Sequence, residues 1–378
     1  MTVPSYMVDF KCIAGACEET CCAGWYIAID EATYKKYKKV KHPEMKKKFE
    51  KELVTKKGHA PECVAKIKLK NNRCAFLDKE NLCEIYRTLG ESYLSETCTM
   101  YPRNTNDLGE RVELSLALSC PEAARRVLMQ KKPIEFMTRE EERLPIVGAK
   151  LELNLKSPKQ FEDYLLTMRQ TLIAIWQDSG YSIEQKWQRF EGVMKCFHHY
   201  QCQRDGKRLA EYIKELQNDG ASKIKPQENS LLEMYLSQKK AKLLLSALVQ
   251  IRASKKWPSA SYEAWYNQVL QGLGEKLDAK AYRKGEEIFK ETLKKSPYIF
   301  ENYFVNYIYE RLVPINQNTV KESLEEMILY YACIRLHLIG IASHKGNLEE
   351  KDMVSLMQSF TRVFDHNELY RMQLKKLI

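Results

Sequence analysis

The chain is poor in the residues that interrupt regular structure. It has 15 glycines and 12 prolines among 378 residues, well below the roughly 7% and 5% of an average protein. This scarcity argues against an all-β, collagen-like or low-complexity chain and favours long helices. Apolar residues make up 44% and charged residues 29%, which is the composition of a globular protein and excludes a disordered one.

Signals for export or membrane insertion are also lacking. The first ten residues, MTVPSYMVDF, contain no basic segment followed by an apolar run, so they do not form a secretory signal peptide. The most apolar long stretch, 327–342, includes Arg335 and His337, and it is shorter than the roughly 20 residues of a membrane span. We therefore predict a cytoplasmic protein without a transmembrane segment, with a buried helix at 327–342.

Common cofactor motifs are missing. Gly272 and Gly274 form a lone Gly-x-Gly within a helical pattern, without the third glycine of a dinucleotide-binding loop. No P-loop and no His-Glu-x-x-His zinc motif occurs. These absences exclude a Rossmann cofactor site, a nucleoside triphosphate loop and the glycine-rich loop common in methyltransferases.

Cysteine, by contrast, is plentiful and unevenly placed. Nine of the twelve cysteines lie in the first 120 residues. In a reducing cytoplasm such thiols indicate ligands, nucleophiles or core residues and not disulfides. Cys196, Cys202 and Cys333 lie in helical patterns beside apolar residues, so we predict that these three are small buried hydrophobes.

The spacing of the first four cysteines restricts the kind of site. Cys12, Cys17, Cys21 and Cys22 fall within eleven residues, and no Cys-x2-Cys occurs in the chain. That absence weakens a zinc ribbon or a thioredoxin-like motif. Cys17 and Cys21 fit the first half of the radical S-adenosylmethionine motif Cys-x3-Cys-x2-Cys, but its third cysteine is replaced by Gly24. That motif is therefore missing. The pattern therefore suits an iron–sulfur cluster or an unusual zinc site.

The later cysteines accompany turn and capping signals. Cys74 and Cys83 flank an Asp-Lys-Glu-Asn turn, and Cys98 lies four residues before a proline. Cys120 precedes a Pro-Glu pair and fits a helix N-cap, a position that favours a thiolate. We predict that Cys98 and Cys120 belong to the same site region as the first four thiols.

The apolar periodicity predicts a mainly α protein. We predict that a small cysteine-rich metal-cluster unit, residues 1–128, packs on a larger helical domain, residues 158–378. Residues 129–157 are predicted to be a linker or packed extended segment. The first helix of that domain is predicted to begin at Ser157, and Ser182 with Gln185 forms a capping box for the next. Asn347 and Glu350 resemble another box. Further helices are predicted at about 206–219, 229–253, 258–273, 278–295, 297–312, 318–343 and 347–364.

The net charge of +11 is concentrated near the cysteines. Residues 35–58 hold eleven lysines against three glutamates. The run lacks arginine and has few aromatics, which argues against nucleic acid and favours a solvated helix face. Contact of the lysines between Lys35 and Lys57 with an anionic surface, including association with a membrane, is the alternative.

Three stretches resemble the flagellin lysine-N-methylase family: FKCIAGACEETCCAGWYIAIDEATYKKY at 10–37, CAFLDKENLCEIYRTLGESYLSETCTMYPR at 74–103 and LSLALSCPEAARRVL at 114–128. They also resemble a cysteine-cluster domain that chelates zinc or iron. The resemblance implies a cytoplasmic bacterial enzyme that transfers methyl groups from S-adenosylmethionine to lysine ε-amines of flagellin, and an oxygen-sensitive [4Fe-4S] cluster.

The resemblance also assigns candidate site residues. The candidate metal ligands are Cys12, Cys17, Cys21, Cys22, Cys74, Cys83, Cys98 and Cys120. Cys63 matches no position of the family pattern. Eight thiols exceed the need of one cluster, so either some are structural or there are two metal sites. The cluster can act as a Lewis acid or pass an electron, and both roles stay open.

Four other residues are candidates for the chemistry. Arg103 can pair with the carboxylate of the methyl donor, Asp30 or Glu91 can accept the lysine proton, and Tyr101 can stack on the adenine or line a lysine channel. The structural alternatives are a salt bridge for Arg103, helix capping for the two acids and core packing for Tyr101. The competing function is a non-catalytic module that chelates zinc or iron on a helical scaffold.

Overall fold

A computed structural model describes residues 1–13, 16–23, 27–55, 61, 63–140, 144–145, 148–219 and 230–377. The first half of the described chain alternates short strands and helices: β1 Thr2–Pro4, β2 Ala28–Ile29, α1 Glu31–Lys38, α2 Pro43–Glu52, β3 Leu53–Thr55, β4 Ala65–Ile67, β5 Leu69–Lys70, β6 Arg73–Cys74, α3 Glu84–Leu89, α4 Glu96–Met100, β7 Arg103–Gly109, β8 Val112–Leu116, α5 Pro121–Leu128, β9 Phe136–Thr138 and β10 Lys150–Leu153.

The second half is helical throughout its described part: α6 Leu165–Gln177, α7 Ile183–Gln203, α8 Gly206–Asp219, α9 Leu231–Leu236, α10 Gln238–Ser254, α11 Ala260–Leu273, α12 Ala279–Lys295, α13 Tyr298–Glu310, α14 Val320–Lys345, α15 Glu350–Phe364 and α16 Glu368–Leu377. The prediction of a mainly helical protein is confirmed.

Helix α14 is the centre of the helical half. A capping box of Thr319 and Glu322 begins the helix, and Gly346 ends it in the left-handed conformation. By length and composition it is the one described helix that can cross a membrane, but 89% of its most apolar window is buried inside the protein. Its neighbours include α11, α12 and α7, which confirms the buried helix predicted at 327–342.

Two predicted helix starts are wrong. The chain after Ser157 first forms a short 3₁₀ turn at Phe161–Tyr164, and α6 begins only at Leu165. The cause is Asp163, whose carboxylate accepts the backbone N–H groups of 154, 159 and 160 and fixes a loop there. The second error is at α15, where the capping box consists of Glu349 and Asp352 and not of the predicted pair.

The other helix predictions follow the structure closely. The capping box of Ser182 and Gln185 is confirmed at the start of α7. The helix predicted at 229–253 is two helices, because Ser237 accepts the N–H of Lys240 and caps α10 one residue after α9 ends. Residue 229 lies outside the described residues.

A five-stranded mixed sheet, with strand order β10-β7-β8-β1-β9, lies in the first half. Strands β7 and β8 pair antiparallel, and β1 runs parallel to β8. Strands β9 and β10 come from the segment predicted as a linker or packed extended segment, and both pair with the sheet. The buried Glu113 of β8 binds Arg169 of α6, with Oε2 2.7 Å from Nη1, which attaches the sheet to the helices.

Among the described residues, a large and a small hydrophobic core, with a minor cluster at Leu108, Leu165 and Leu312, divide the chain in a way that the sequence did not indicate. A small core is built around residues such as Ile29, Phe49 and Phe76, all from 27–85. Tyr6 near the N-terminus and Leu128 at the end of α5 belong to the large core of the helical half. Residues of the predicted unit 1–128 therefore contribute to both cores, because the sheet and α5 use the helices to cover their apolar faces; the boundary at residue 128 stays a prediction.

Candidate functional site

A cavity of about 460 Å³ lies where the first half of the chain meets the helices. This volume suits a small ligand or a long side chain. Its walls come from the end of α4, from β7, from the chain after β8 and from the residues that end α13 and follow α15. They are Ala28, Thr97, Met100, Tyr101, Pro102, Arg103, Asn104, Ala117, Ser119, Glu310, Arg311, Asp365 and His366.

One wall of the cavity carries a chain of hydrogen bonds. The hydroxyl of Tyr101 lies 3.0 Å from Oγ of Ser119, and Nε2 of His366 lies 2.7 Å from the same oxygen. Burial raises the pKa of Tyr101 and lowers that of His366. At neutral pH this wall therefore presents a phenol and a neutral imidazole, which can orient a ligand or hold a proton.

Arg103 opens β7 and lines the same cavity. Its guanidinium lies 5.4 Å from the centre of the Phe10 ring, a contact that holds the side chain without neutralising it. Within the described residues no carboxylate pairs with Arg103, so the salt bridge considered as its structural role is not seen there. The guanidinium is available to bind a carboxylate on a ligand.

The end of α13 brings an acidic side chain to the cavity, in contrast to the cationic Arg103. Glu310 is the last residue of that helix, and Nδ2 of Asn306 donates to its Oε2 over 3.2 Å. Burial raises the pKa of Glu310 to about 8. The neighbouring Arg311 pairs with Asp365 at 2.5 Å. These residues were missed by the sequence analysis, since a glutamate at the end of an apolar helix gives no signal of its own.

The thiols of the first half lie close enough to influence one another. The charge of Cys21 contributes to the raised pKa values of Cys17, Cys83, Cys98 and Cys120, although burial is the largest cause in each. These four thiols therefore lie within electrostatic reach of Cys21.

The remaining candidate ligands adjoin this group. Sγ of Cys22 lies 3.9 Å from Sγ of Cys21, and Cys12 contributes to the pKa of Cys17. Cys74 is buried in the small core, where burial raises its pKa to about 12 with Cys98 and Cys83 as neighbours. Cys63, which matched no position of the family pattern, lies 3.8 Å from the carbonyl oxygen of Ala65.

The chemical type of the candidate ligands, which are all cysteine thiols, suits a thiolate-bound metal. Within the part of the chain that the structure describes, no three His, Cys, Asp or Glu side chains have the arrangement of a metal site. The donors are nevertheless all sulfur, which is the ligand of iron–sulfur clusters and of structural zinc. Burial of the thiols disfavours their charged form, and a bound cation compensates for that cost.

Several thiols are held by rigid backbone. Cys98 lies in the first turn of α4, where its N–H donates to Oγ of Ser95. Cys120 is the N-cap of α5 with proline at the next position, as predicted, and the N–H groups of Glu122 and Ala123 lower the pKa of its thiol against the effect of burial. Helix N-termini favour negative charge on sulfur.

The helical half fixes the loop that carries Cys21 and Cys22. Arg362 of α15 donates to the carbonyl oxygens of Thr20 at 2.6 Å and of Ala23 at 2.8 Å. Glu19 accepts from Nε2 of Gln358 at 3.0 Å and from hydroxyls at the start of α11. The cysteine loop is thus attached to helices more than 200 residues away in the chain.

The two acids suggested as proton acceptors lie outside the cavity wall. Asp30 caps α1 through the N–H of Thr33 at 2.8 Å and accepts the N–H of Glu96 at 3.1 Å. Burial alone would raise the pKa of Asp30, but these hydrogen bonds hold it below its ordinary value. Glu91 is exposed. The geometry favours the capping role of Asp30 over a catalytic one.

The three cysteines predicted to be buried differ from one another. Cys333 is buried in α14 and Cys196 is half-buried, whereas Cys202 is exposed, so the prediction is wrong for Cys202. Sγ of Cys202, near the end of α7, lies 3.7 Å from Nε2 of His198.

The lysine-rich helices α1 and α2 are largely exposed, and Lys56 and Lys57 lie outside the described residues.

Comparison with known proteins identifies the chain's family. Residues 169–378 match the C-terminal domain of FliB lysine N-methylase. The flagellar biosynthetic protein FliU of Salmonella muenchen is 33% identical over 129 residues, which are 34% of this chain and 76% of that protein. The lysine-N-methylases of Salmonella choleraesuis strain SC-B67 and Salmonella typhimurium strain LT2 show the same identity over 34% of this chain and 32% of their own length.

The aligned part thus spans about a third of those two lysine-N-methylases, and no solved structure matches the chain. The C-terminal match covers more than half of the present sequence and contains the residues that close the cavity from the helical side. The chain belongs to the FliB family of lysine N-methylases.

Proposed function

We propose that this protein transfers methyl groups from S-adenosylmethionine to lysine ε-amines of flagellin. One observation carries the proposal: a single cavity joins Arg103 and Tyr101, predicted from the N-terminal motifs, to Glu310 and Asp365 of the family-matched half. Flagellin is supported as the substrate by the name of the FliU relative, a flagellar biosynthetic protein.

The cavity offers the groups that such a transfer needs. S-adenosylmethionine supplies an electrophilic methyl group on a sulfonium and carries a carboxylate that Arg103 can bind. Tyr101 and Ser119 offer hydroxyls to the polar groups of the donor. The work of the protein is then to hold donor and amine in line and to keep water out.

The thiols beside the cavity are proposed to hold an iron–sulfur cluster. Thr97 and Ser119, which line the cavity, are sequence neighbours of Cys98 and Cys120. Its ligands would be drawn from the eight candidate thiols named above, of which Cys21 is an electrostatic neighbour of Cys83, Cys98 and Cys120. A cluster would supply Lewis-acid or electron-transfer chemistry next to the reaction.

The test is a methylation assay with protein purified without oxygen. Flagellin and S-adenosylmethionine are incubated with the wild-type chain, and the modified lysines are counted by mass spectrometry. We expect methylated lysines, and a KM for the donor that rises roughly 10- to 100-fold in Arg103→Ala, because a charge-assisted hydrogen bond contributes about 1.5–3 kcal/mol.

The competing function predicts a different result in the same preparation. A colourless protein with stoichiometric zinc and no methylation would support a chelating module. Broad visible absorbance together with methylated lysines supports the enzyme.

A further inference from the structure

We propose that Glu310, in the wall of the cavity, binds the primary ammonium group of the substrate lysine and takes its proton. This assignment rests on the proposed function and adds to it the residue that activates the amine. Glu310 is not among the candidate catalytic residues predicted from the sequence.

The position of Glu310 is suited to a cation. It is the last residue of α13, a helix of 13 residues, and the C-terminal end of a helix carries partial negative charge. Asp365 also lines the cavity, but its carboxylate pairs with Arg311. The helix end and the ionised carboxylate of Glu310 therefore favour an ammonium ion.

The nearest cation is already engaged. Arg311 pairs with Asp365 at 2.5 Å, and its guanidinium lies 4.6 Å from the centre of the Tyr307 ring and 5.4 Å from that of Tyr330. Among the described residues, the side chain that donates to the carboxylate of Glu310 is Asn306. Glu310 therefore has no ion-pair partner in that part of the chain and keeps one face towards the cavity.

Two residues that line the cavity complement the two reactants. Arg103 matches the carboxylate of the donor, and Glu310 matches the ammonium of the lysine. The cavity therefore favours a substrate that arrives as an ammonium ion, beside a donor that carries a carboxylate. A hydroxyl or thiol substrate would leave the buried acid unpaired, which is costly.

The step balances in atoms and charge. An N–H proton of the lysine ammonium moves to a carboxylate oxygen of Glu310, which frees the nitrogen lone pair. That pair forms a bond to the methyl carbon of the donor, and the carbon–sulfur bond breaks with its electron pair kept by sulfur. The products are a secondary ammonium ion, a neutral thioether and protonated Glu310.

The pH dependence follows from the surroundings of Glu310. Burial raises its pKa to about 8, Arg311 acts in the opposite direction, and Asp365 adds to the rise. Among the described residues, Tyr101, Arg103 and His366 also line the cavity, and Tyr6 lies within electrostatic reach of Glu310. Below pH 8 the carboxyl is protonated and cannot accept a proton, so kcat/KM should increase as the pH rises through about 8.

The experiment compares Glu310→Gln with Glu287→Gln, an exposed glutamate of α12 outside the cavity. Methylation of flagellin is followed from pH 6 to 10. We expect Glu310→Gln to lower the rate about 10²- to 10⁴-fold and to abolish the increase near pH 8, while Glu287→Gln behaves like the wild type. Equal rates and the same pH profile in both variants would overturn the proposal.

Two further measurements separate chemistry from folding. In the folded protein Glu310 keeps its proton up to about pH 8, whereas in the unfolded chain it loses the proton near pH 4.3. Between these pH values the unfolded chain releases a proton that the folded protein keeps, so the wild type loses stability as the pH rises. Glutamine does not ionise, so Glu310→Gln should melt at an equal or higher temperature at pH 8.

Formate should restore activity to Glu310→Ala by filling the vacated space with a carboxylate. An inactive alanine variant that formate does not restore would make the role of Glu310 structural and overturn the proposal. A wild-type chain that methylates no lysine would overturn the proposed function, and this inference with it. Loss confined to the Glu310 variants, with formate rescue, supports both.

Discussion

The cysteine-bearing region and the helical half are built in opposite ways. In the helical half, long amphipathic helices bury aromatic residues such as Trp187 and Phe360 completely, and apolar packing decides the structure. Around the cysteines the elements are short, most thiols are half-buried or exposed, and polar contacts from Arg362 and Gln358 hold the loop. The chemistry is thus carried by the region that has the least apolar packing of its own.

This contrast predicts that single thiols matter very unequally. Cys21→Ala should abolish iron binding and methylation, because Cys21 lies 3.9 Å from Cys22 and within electrostatic reach of Cys98 and Cys120. Cys333→Ala removes the same atom type from the buried middle of α14. It should leave the iron content unchanged and cost about 1 kcal/mol of unfolding free energy, an average mutational effect.

The measurement is the iron and sulfide content of both variants after anaerobic purification, with the visible spectrum as a second readout. Full iron content in Cys21→Ala would remove that thiol from the ligands, and loss of iron in Cys333→Ala would contradict the division between the two regions.

A smaller effect should reveal how the helices support the cysteine loop. Arg362→Met keeps most of the side-chain volume but removes the hydrogen bonds to the carbonyl oxygens of Thr20 and Ala23. We expect several-fold lower iron content, with the helical secondary structure retained, since α15 keeps its apolar contacts. Arg283→Met, an exposed position on α12, is the matched control and should load iron normally.

The same comparison explains what could be predicted from the sequence. Helix positions in the second half followed from apolar periodicity and from caps such as Ser182 with Gln185, because local propensity and burial agree there. The proline after Cys120 likewise revealed the start of α5. The mixed sheet was missed, since its strands are short and come from three distant segments, and their pairing has no local signature.

The site was predictable only on one side. Arg103 and Tyr101 were found because they lie within the cysteine motifs, and both line the cavity. Glu310 and His366 lie at the ends of helices whose pattern is explained by packing, so nothing in the sequence separates them from ordinary surface residues. Their role depends on the fold, which brings them to residues about 200 and 250 positions earlier in the chain.

The central claim is that both halves of the chain build one reaction cavity. Hydrogen–deuterium exchange with and without S-adenosylhomocysteine tests it most directly, because the product occupies the donor position without reacting. The account predicts slower exchange on both sides of the cavity, at residues 97–104 and at residues around 310 and 365. Bound product that protects only one of these two sides would contradict it.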